Sequence, residues 1–146
     1  MKLIFSSSAL KRSRPALEEL LFFNPRQSRV RDGIVHSLEQ FGHPRIEETS
    51  DRLSVRVGES EAQTIFAFDQ DRPGNDPIGV VIFVRTSTAE MVVMHVAVHS
   101  DYQLQNRYAD LGLGFILLEK VREIASRIVG VRQVTLHYRR EIVIKI

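Results

Sequence analysis

Gly112 and Gly114 stand at the front of a run in which Leu113, Leu117, Val121, Ile124 and Ile128 recur at helical spacing. The first turn of a helix carries unpaired backbone N–H groups and a partial positive charge, which suits a phosphate. Glycine lets a backbone come close to such an anion. It equally lets a helix lie close on a sheet, so the pair alone decides nothing. His95 and His99 fall on one face of an extended segment, and imidazole titrates in the range useful for proton transfer. A histidine on an apolar strand is more often a hydrogen-bonded core residue. His36, His43 and His137 lack metal-ligand spacing. Asp69, Asp71 and Asp76 match a calcium loop only superficially, because no glutamate closes it and Pro73 interrupts it. The absence of cysteine excludes disulfides, thiolate zinc sites and a thiol nucleophile, and no Ser-His-Asp arrangement can be assembled.

These groups need elements to position them. Ser13 as a cap and Pro15 near a helix start predict a helix from Arg14 to Phe23, broken by Asn24-Pro25. Val30, Ile34, Leu38 and Phe41 predict a second helix from Gln27 to Phe41, stopped by Gly42 and Pro44. After Thr49 the pattern alternates, with Leu53, Val55 and Val57 on one face of a strand. Gln63 to Asp69 reads as a second strand and Arg72-Pro73-Gly74-Asn75-Asp76 as a turn. Ile78 to Thr86 and Ala89 to Val98 read as central strands covered on both faces. The short connections predict an antiparallel meander. A long helix from Asp110 to Val129, closed by Gly130, leads to a strand from Val131 to Tyr138, which makes a βαβ unit. The alternating segment Ile142 to Ile146 reads as one more strand, or as an edge that pairs with a second copy of the chain.

A chain of 146 residues fits one domain over residues 1–146, long enough to fold without a metal or cross-link. Lysine and arginine number 20 against 18 acids, so the charge does not mark a nucleic-acid binder. The clusters Lys11, Arg12, Arg14 and Arg26, Arg29, Arg31 read as solvated helix faces, with no interleaved aromatics to stack bases. No apolar run is long enough to cross a membrane and no secretory leader is evident, so a cytoplasmic protein is expected.

Two segments carry a resemblance: Val96-Ala97-Val98-His99-Ser100-Asp101-Tyr102-Gln103, and Asp110-Leu111-Gly112-Leu113-Gly114-Phe115-Ile116-Leu117-Leu118-Glu119. Joined, they resemble the central motif of the GNAT acyl-CoA-dependent N-acetyltransferases, in which a strand ends in valine and a Gln/Arg-x-x-Gly-x-Gly/Ala loop opens a long helix. Ile78 to Phe83 is similar to that family's preceding strand. The resemblance covers roughly residues 50 to 138. It implies a mixed α/β (α+β) fold with a mostly antiparallel sheet, two N-terminal helices and a long helix after the fourth main strand. Leu104 to Ala109 reads as an insertion between Gln103 and the glycines, and too few residues follow Tyr138 for the family's further helix and strands.

The resemblance also implies a chemistry: an amine attacks the thioester of acetyl-CoA, a co-substrate, with no metal. Acetyl-CoA would lie against Ala97, Val98, Gln103, Arg107, Leu111, Gly112, Leu113, Gly114 and Phe115, with the diphosphate on the helix amides and the pantetheine arm along a strand splayed from its neighbour. A backbone N–H near Val98 would stabilise the oxyanion. Glu90 stands where the family often has a strand-borne acid, and Tyr138 is the candidate acid for the leaving thiolate; both have bland readings, a turn residue and a packing residue. Tyr102 and Tyr108 would cover the cofactor. The acceptor is a small-molecule or protein amine of unstated identity. The alternative is a catalytically silent module that binds a partner protein.

Overall fold

The computed structural model describes residues 2–22, 44–58, 62–102, 112–137 and 141–145. Among these, the alternating and β-branched runs form strands β1 (Leu3–Ser6), β2 (Ala9–Leu10), β3 (Pro44–Thr49), β4 (Arg52–Val57), β5 (Gln63–Asp69), β6 (Gly79–Arg85), β7 (Glu90–Val98), β8 (Gln133–His137) and β9 (Glu141–Lys145). Two α-helices accompany them, α1 (Arg14–Phe22) and α2 (Leu113–Ser126). The helix expected from Gln27 to Phe41 lies outside the described residues.

Six strands form one sheet in the order β1-β5-β6-β7-β8-β9, and β2-β4-β3 form another. Every pairing is antiparallel save β7 with β8, which run parallel on either side of α2. This is the expected βαβ unit, and the mixed, mostly antiparallel sheet is the expected class. β6 sits at the centre and is covered on both faces. Val80, Ile82 and Val84 share a core with Leu17, Leu20 and Leu21 of α1 and with Leu53, Val55 and Val57 of β4. Val81 and Phe83 share the opposite core with Leu113, Leu117, Val121 and Ala125 of α2 and with Val134 and Leu136 of β8. Each such buried side chain contributes about 1.5–3 kcal/mol, so this two-sided burial fixes β6 and β7 as the rigid middle of the molecule.

Three expectations need correction. The meander begins at β5, because β4 belongs to the smaller sheet. There it forms a hairpin with β3 through Ser50 and Asp51, whose φ angles of 47° and 68° are both positive. Such two-residue loops match the twist of paired strands. β3 itself was not expected: one apolar residue, Ile46, sits among Arg45, Glu47 and Glu48, and Pro44 reads as a helix stop. Pro44 instead opens an edge strand, where no ladder donor is needed. Ion pairs Arg56–Glu47 at 3.0 Å and Lys11–Glu48 at 3.1 Å account for its polar character. The long helix is shorter than its apolar pattern. It starts at Leu113 and stops at Ser126, whose hydroxyl donates to the Glu123 carbonyl at 2.7 Å, and Ile128 and Val129 lie in the closing turn. The C-terminal segment is, as expected, one more strand, β9, and it pairs antiparallel with β8.

α2 lies close on the sheet at Gly79. A Cβ there would stand 3.0 Å from Leu117 Cδ1 and 3.3 Å from Leu113 Cδ2. Gly79→Val is therefore expected to destabilise the fold by about 1–3 kcal/mol through overpacking. Urea unfolding checks this by a lower midpoint at unchanged slope; an unchanged midpoint would mean that α2 does not rest on this position.

Candidate functional site

β7 and β8 pair over only four positions, from Glu90↔Gln133 to Val93↔Leu136. β8 then ends at His137, while β7 continues to Val98 with β6 as its only ladder partner among the described strands. Among the described residues the two strands therefore part, and the β7 edge over Met94 to Ala97 faces the opening with no ladder partner from β8. At the same point the β6–β7 register slips. Ile82 pairs with His95 and Phe83 with Val93, so Met94 is an extra residue with no partner on either side. Such a bulge bends a strand and raises its twist, which turns β7 away from β8.

The start of α2 lies beside the end of β7. Gly112 is the residue that caps the helix, held at φ 58° and ψ 46°, a left-handed conformation that glycine alone adopts freely. No side chain caps the helix among the described residues, and the first intrahelical bond runs from Ile116 N–H to the Gly112 carbonyl at 3.0 Å. The amides of Leu113, Gly114 and Phe115 thus have no acceptor within the helix. A Cβ on Gly114 would stand 3.8 Å from Val98 Cγ2, so the strand end and the helix start are neighbours. Leu113 is buried, leaving only its amide for a ligand, whereas Phe115 is 67% exposed. Ala97 is buried in the α1-side core and pairs with Val80; Val98 pairs with Gly79. The structure therefore brings together Ala97, Val98, Gly112, Leu113, Gly114 and Phe115. Gln103, Arg107, Leu111, Tyr108 and Tyr138 lie outside the described residues.

A polar network fixes the chain where it leaves β7. Tyr102 closes a short 3-10 turn (Ser100–Tyr102), and its hydroxyl donates to Asp69 Oδ2 at 2.8 Å within the core. Asp69 Oδ1 accepts from the N–H groups of Asp71 at 3.0 Å and Lys2 at 3.4 Å. Burial opposes ionisation of this carboxyl, but the hydrogen bonds outweigh it and hold Asp69 below its ordinary value. Burial and the Asp69 bond push the Tyr102 hydroxyl up. Arg72 donates to Asp101 Oδ2 at 3.1 Å and lies over the Tyr102 ring, 5.6 Å from its centroid. His99 Nδ1 accepts the Asp101 N–H at 3.1 Å, so this histidine is engaged in holding the turn.

His95 and Glu90 differ in their surroundings. His95 is half-buried, yet its Nε2 is sealed from solvent and finds no hydrogen-bond partner among the described residues. An orphaned buried polar atom costs about 1–3 kcal/mol. Burial pushes the imidazole down from 6.5 to about 4, so it is neutral at physiological pH. Glu90 lies three residues before the strands part, roughly 10 Å along the strand. Its carboxylate accepts from Thr86 Oγ1 at 2.9 Å, Gln133 Nε2 at 2.8 Å and Thr135 Oγ1 at 2.7 Å.

No protein-family model matches the sequence, and no curated protein matches it significantly. Solved structures do match. An acetyltransferase of the GNAT family from Staphylococcus aureus Mu50 superposes with a TM-score of 0.53 at 12% identity, over 92% of this chain and 73% of that one. Arabidopsis thaliana NAA60 in complex with acetyl-CoA does so with a TM-score of 0.51 at 15% identity, over 92% of this chain and 74% of that one. The chain has the GNAT acetyltransferase fold. It spans 65% of the length of another similar structure, the IAA acetyltransferase from Bacillus cereus ATCC 14579, at 18% identity, a TM-score of 0.48 and 92% of this chain. Within this GNAT fold the parting of β7 from β8 follows the expected splay. The Met94 bulge was not expected, since a bulge needs two strands in register to be seen. The Asp69–Tyr102–Arg72 network was also missed; its partners lie 33 residues apart in the case of Tyr102 and Asp69.

Two predictions follow from these groups. Tyr102→Phe removes one of three acceptor bonds on a buried carboxylate and should destabilise the fold by about 1–3 kcal/mol. The contribution of Asp69 is fully present above its unfolded pKa and is lost as pH falls through the lower folded value. The variant should therefore lose less stability than the parent in acid; equal loss, in denaturation at stepped pH, would contradict the network. The folded chain binds the His95 proton less readily than the unfolded chain, so stability should fall as pH drops from 6.5 to about 4. His95→Gln should flatten that part of the profile, and an unaltered slope would mean that the imidazole is not held neutral.

Proposed function

We propose that the chain binds acetyl-CoA in the parting of β7 and β8 and transfers its acetyl group to an amine. The observation that carries this reading is the conjunction of a β7 edge, Met94 to Ala97, beyond the last β8 pair, with a helix start at Gly112 to Phe115 that no described side chain caps. A diphosphate fits the first-turn amides of α2, where no described side chain caps the helix and Gly114 leaves room. An amide-rich arm fits the free edge of β7, as a peptide adds to a sheet. NAA60, which shares the fold, is described in complex with acetyl-CoA.

In the reaction so read, the amine nitrogen bonds to the acetyl carbon, the carbon–sulfur bond breaks, and one proton leaves the nitrogen. The chain contributes position and fixed dipoles. We assign Glu90 the task of tying β7 to β8 below the parting, because its three donors lie on both sides of that seam. Gln103, Arg107, Leu111 and Tyr138 keep the roles proposed from the resemblance: the first three beside the diphosphate, the last as acid for the thiolate.

The test is thermal unfolding with acetyl-CoA. At about 100 times its dissociation constant a ligand adds roughly 2.7 kcal/mol, which raises the melting temperature by several degrees. Gly114→Asp should abolish that shift while keeping the fold. A Cβ there meets only ordinary contact with Val98, and a carboxylate at a helix start is itself stabilising but repels phosphate. An undiminished shift in this variant would move the diphosphate elsewhere. Thiol release with a panel of amines then separates an acetyltransferase from a module that only binds.

A further inference from the structure

We infer that His95 is the group that takes the proton from the attacking amine, an assignment that rests on the acetyl-transfer reading above. The placement follows from the bulge. Val92 and Met94 belong to the α1-side core and Met91 and Val93 to the α2-side core. Beyond the bulge Val96 and Val98 pack toward α2 and Ala97 toward α1. Alternation back from Ala97 puts His95 on the α1 side, the same side as Met94. A regular strand would have put it under α2. The extra residue thus delivers an imidazole to the α1 face within two residues of the last β7–β8 pair, Val93↔Leu136.

Its chemistry suits that place. The neighbouring described side chains on this face, Val92, Met94, Ala97, Val80 and Ile82, are apolar. Nε2 is one of two buried side-chain polar atoms left open among the described residues, the other being Ser13 Oγ, and a buried polar atom left open beside the parting of the strands points to a ligand that completes it. The other titratable groups on or next to β7 are engaged: Glu90 by three donors and His99 by the Asp101 amide. Burial keeps the ring unprotonated and so able to accept. As the nitrogen–carbon bond forms and the carbon–sulfur pair passes to sulfur, the nitrogen proton moves to Nε2. From there it passes to the thiolate, which restores the neutral ring and yields free thiol. A ring that holds a proton poorly passes it on readily.

Ring nitrogen spectra of the full chain, with acetyl-CoA as the probe, test this directly, and His95→Gln supplies the assignment. The His95 signals should report a neutral ring at pH 7 and should move when acetyl-CoA is added. His95→Gln should keep the acetyl-CoA thermal shift. For any amine that the parent acetylates, it should lower kcat by about 10²–10⁴-fold while the KM for acetyl-CoA changes by no more than about twofold. Free imidazole should restore part of the activity of His95→Ala. Unmoved His95 signals in protein that acetyl-CoA stabilises, or parental kcat in His95→Gln, would overturn the assignment. Failure of acetyl-CoA to stabilise the parent at all would instead overturn the acetyl-transfer reading, and this role with it.

Discussion

The parallel seam between β7 and β8 is the constraint on which the rest of the molecule depends. It is short because its two strands reach it differently. β7 is held by β6 on both sides of Met94, whereas β8 arrives from α2 and stays in the ladder only as far as Leu136. Below that point Val93, Val134 and Leu136 share the α2-side core, and the Glu90 carboxylate joins side chains of β8 to the turn before β7. Above it no ladder joins the two strands among the described residues. Buried apolar contact closes one end of the seam and the bulge opens the other.

Two rigid elements then frame the opening. α2 is set on the sheet by a stripe of Leu113, Leu117, Val121 and Ala125, and its descent is limited by contact over Gly79. Its first turn is consequently fixed against Val98. The chain leaving β7 is fixed as well, by a tyrosine whose hydroxyl reaches a carboxylate at the far end of β5. A buried, ionised Asp69 with three donors is an expensive feature for a mere turn, but it gives the segment after His99 one direction only. Sites carried on such elements hold their geometry better than sites carried on loops.

Much of this was legible in the sequence, and the limits have physical causes. β5, β6, β7 and α2 each bury a periodic set of large apolar residues, so their patterns survive without tertiary knowledge. β1 and β3 do not: the first is four residues long, and the second is stabilised by ion pairs on a sheet edge, where polar residues are tolerated. The helix start at Gly112 and the strand end at Val98 could be named from residue types, because glycine and a terminal valine mark backbone events. The state of His95 could not. Its orphaned nitrogen depends on which face the strand presents, and that depends on a register slip between strands whose pairing no single segment encodes. Tyr102 and Asp69 meet only because β5 and the end of β7 are brought together by β6.

The Met94 irregularity has a consequence for how this strand can change over time. Met91 and Val93 face α2, and so do Val96 and Val98, although the step between the two pairs is odd. The bulge absorbs that odd step, so both halves of β7 present the faces that a regular strand one residue shorter would present. Losing a single residue between Val93 and Val96 would therefore restore a regular ladder and keep Val96 and Val98 toward α2, and would remove one of the two successive side chains, Met94 and His95, on the α1 side. What the extra residue adds is thus the bend in the strand and a second side chain on the α1 side, and its loss would erase both while the cores on either face stay as they are.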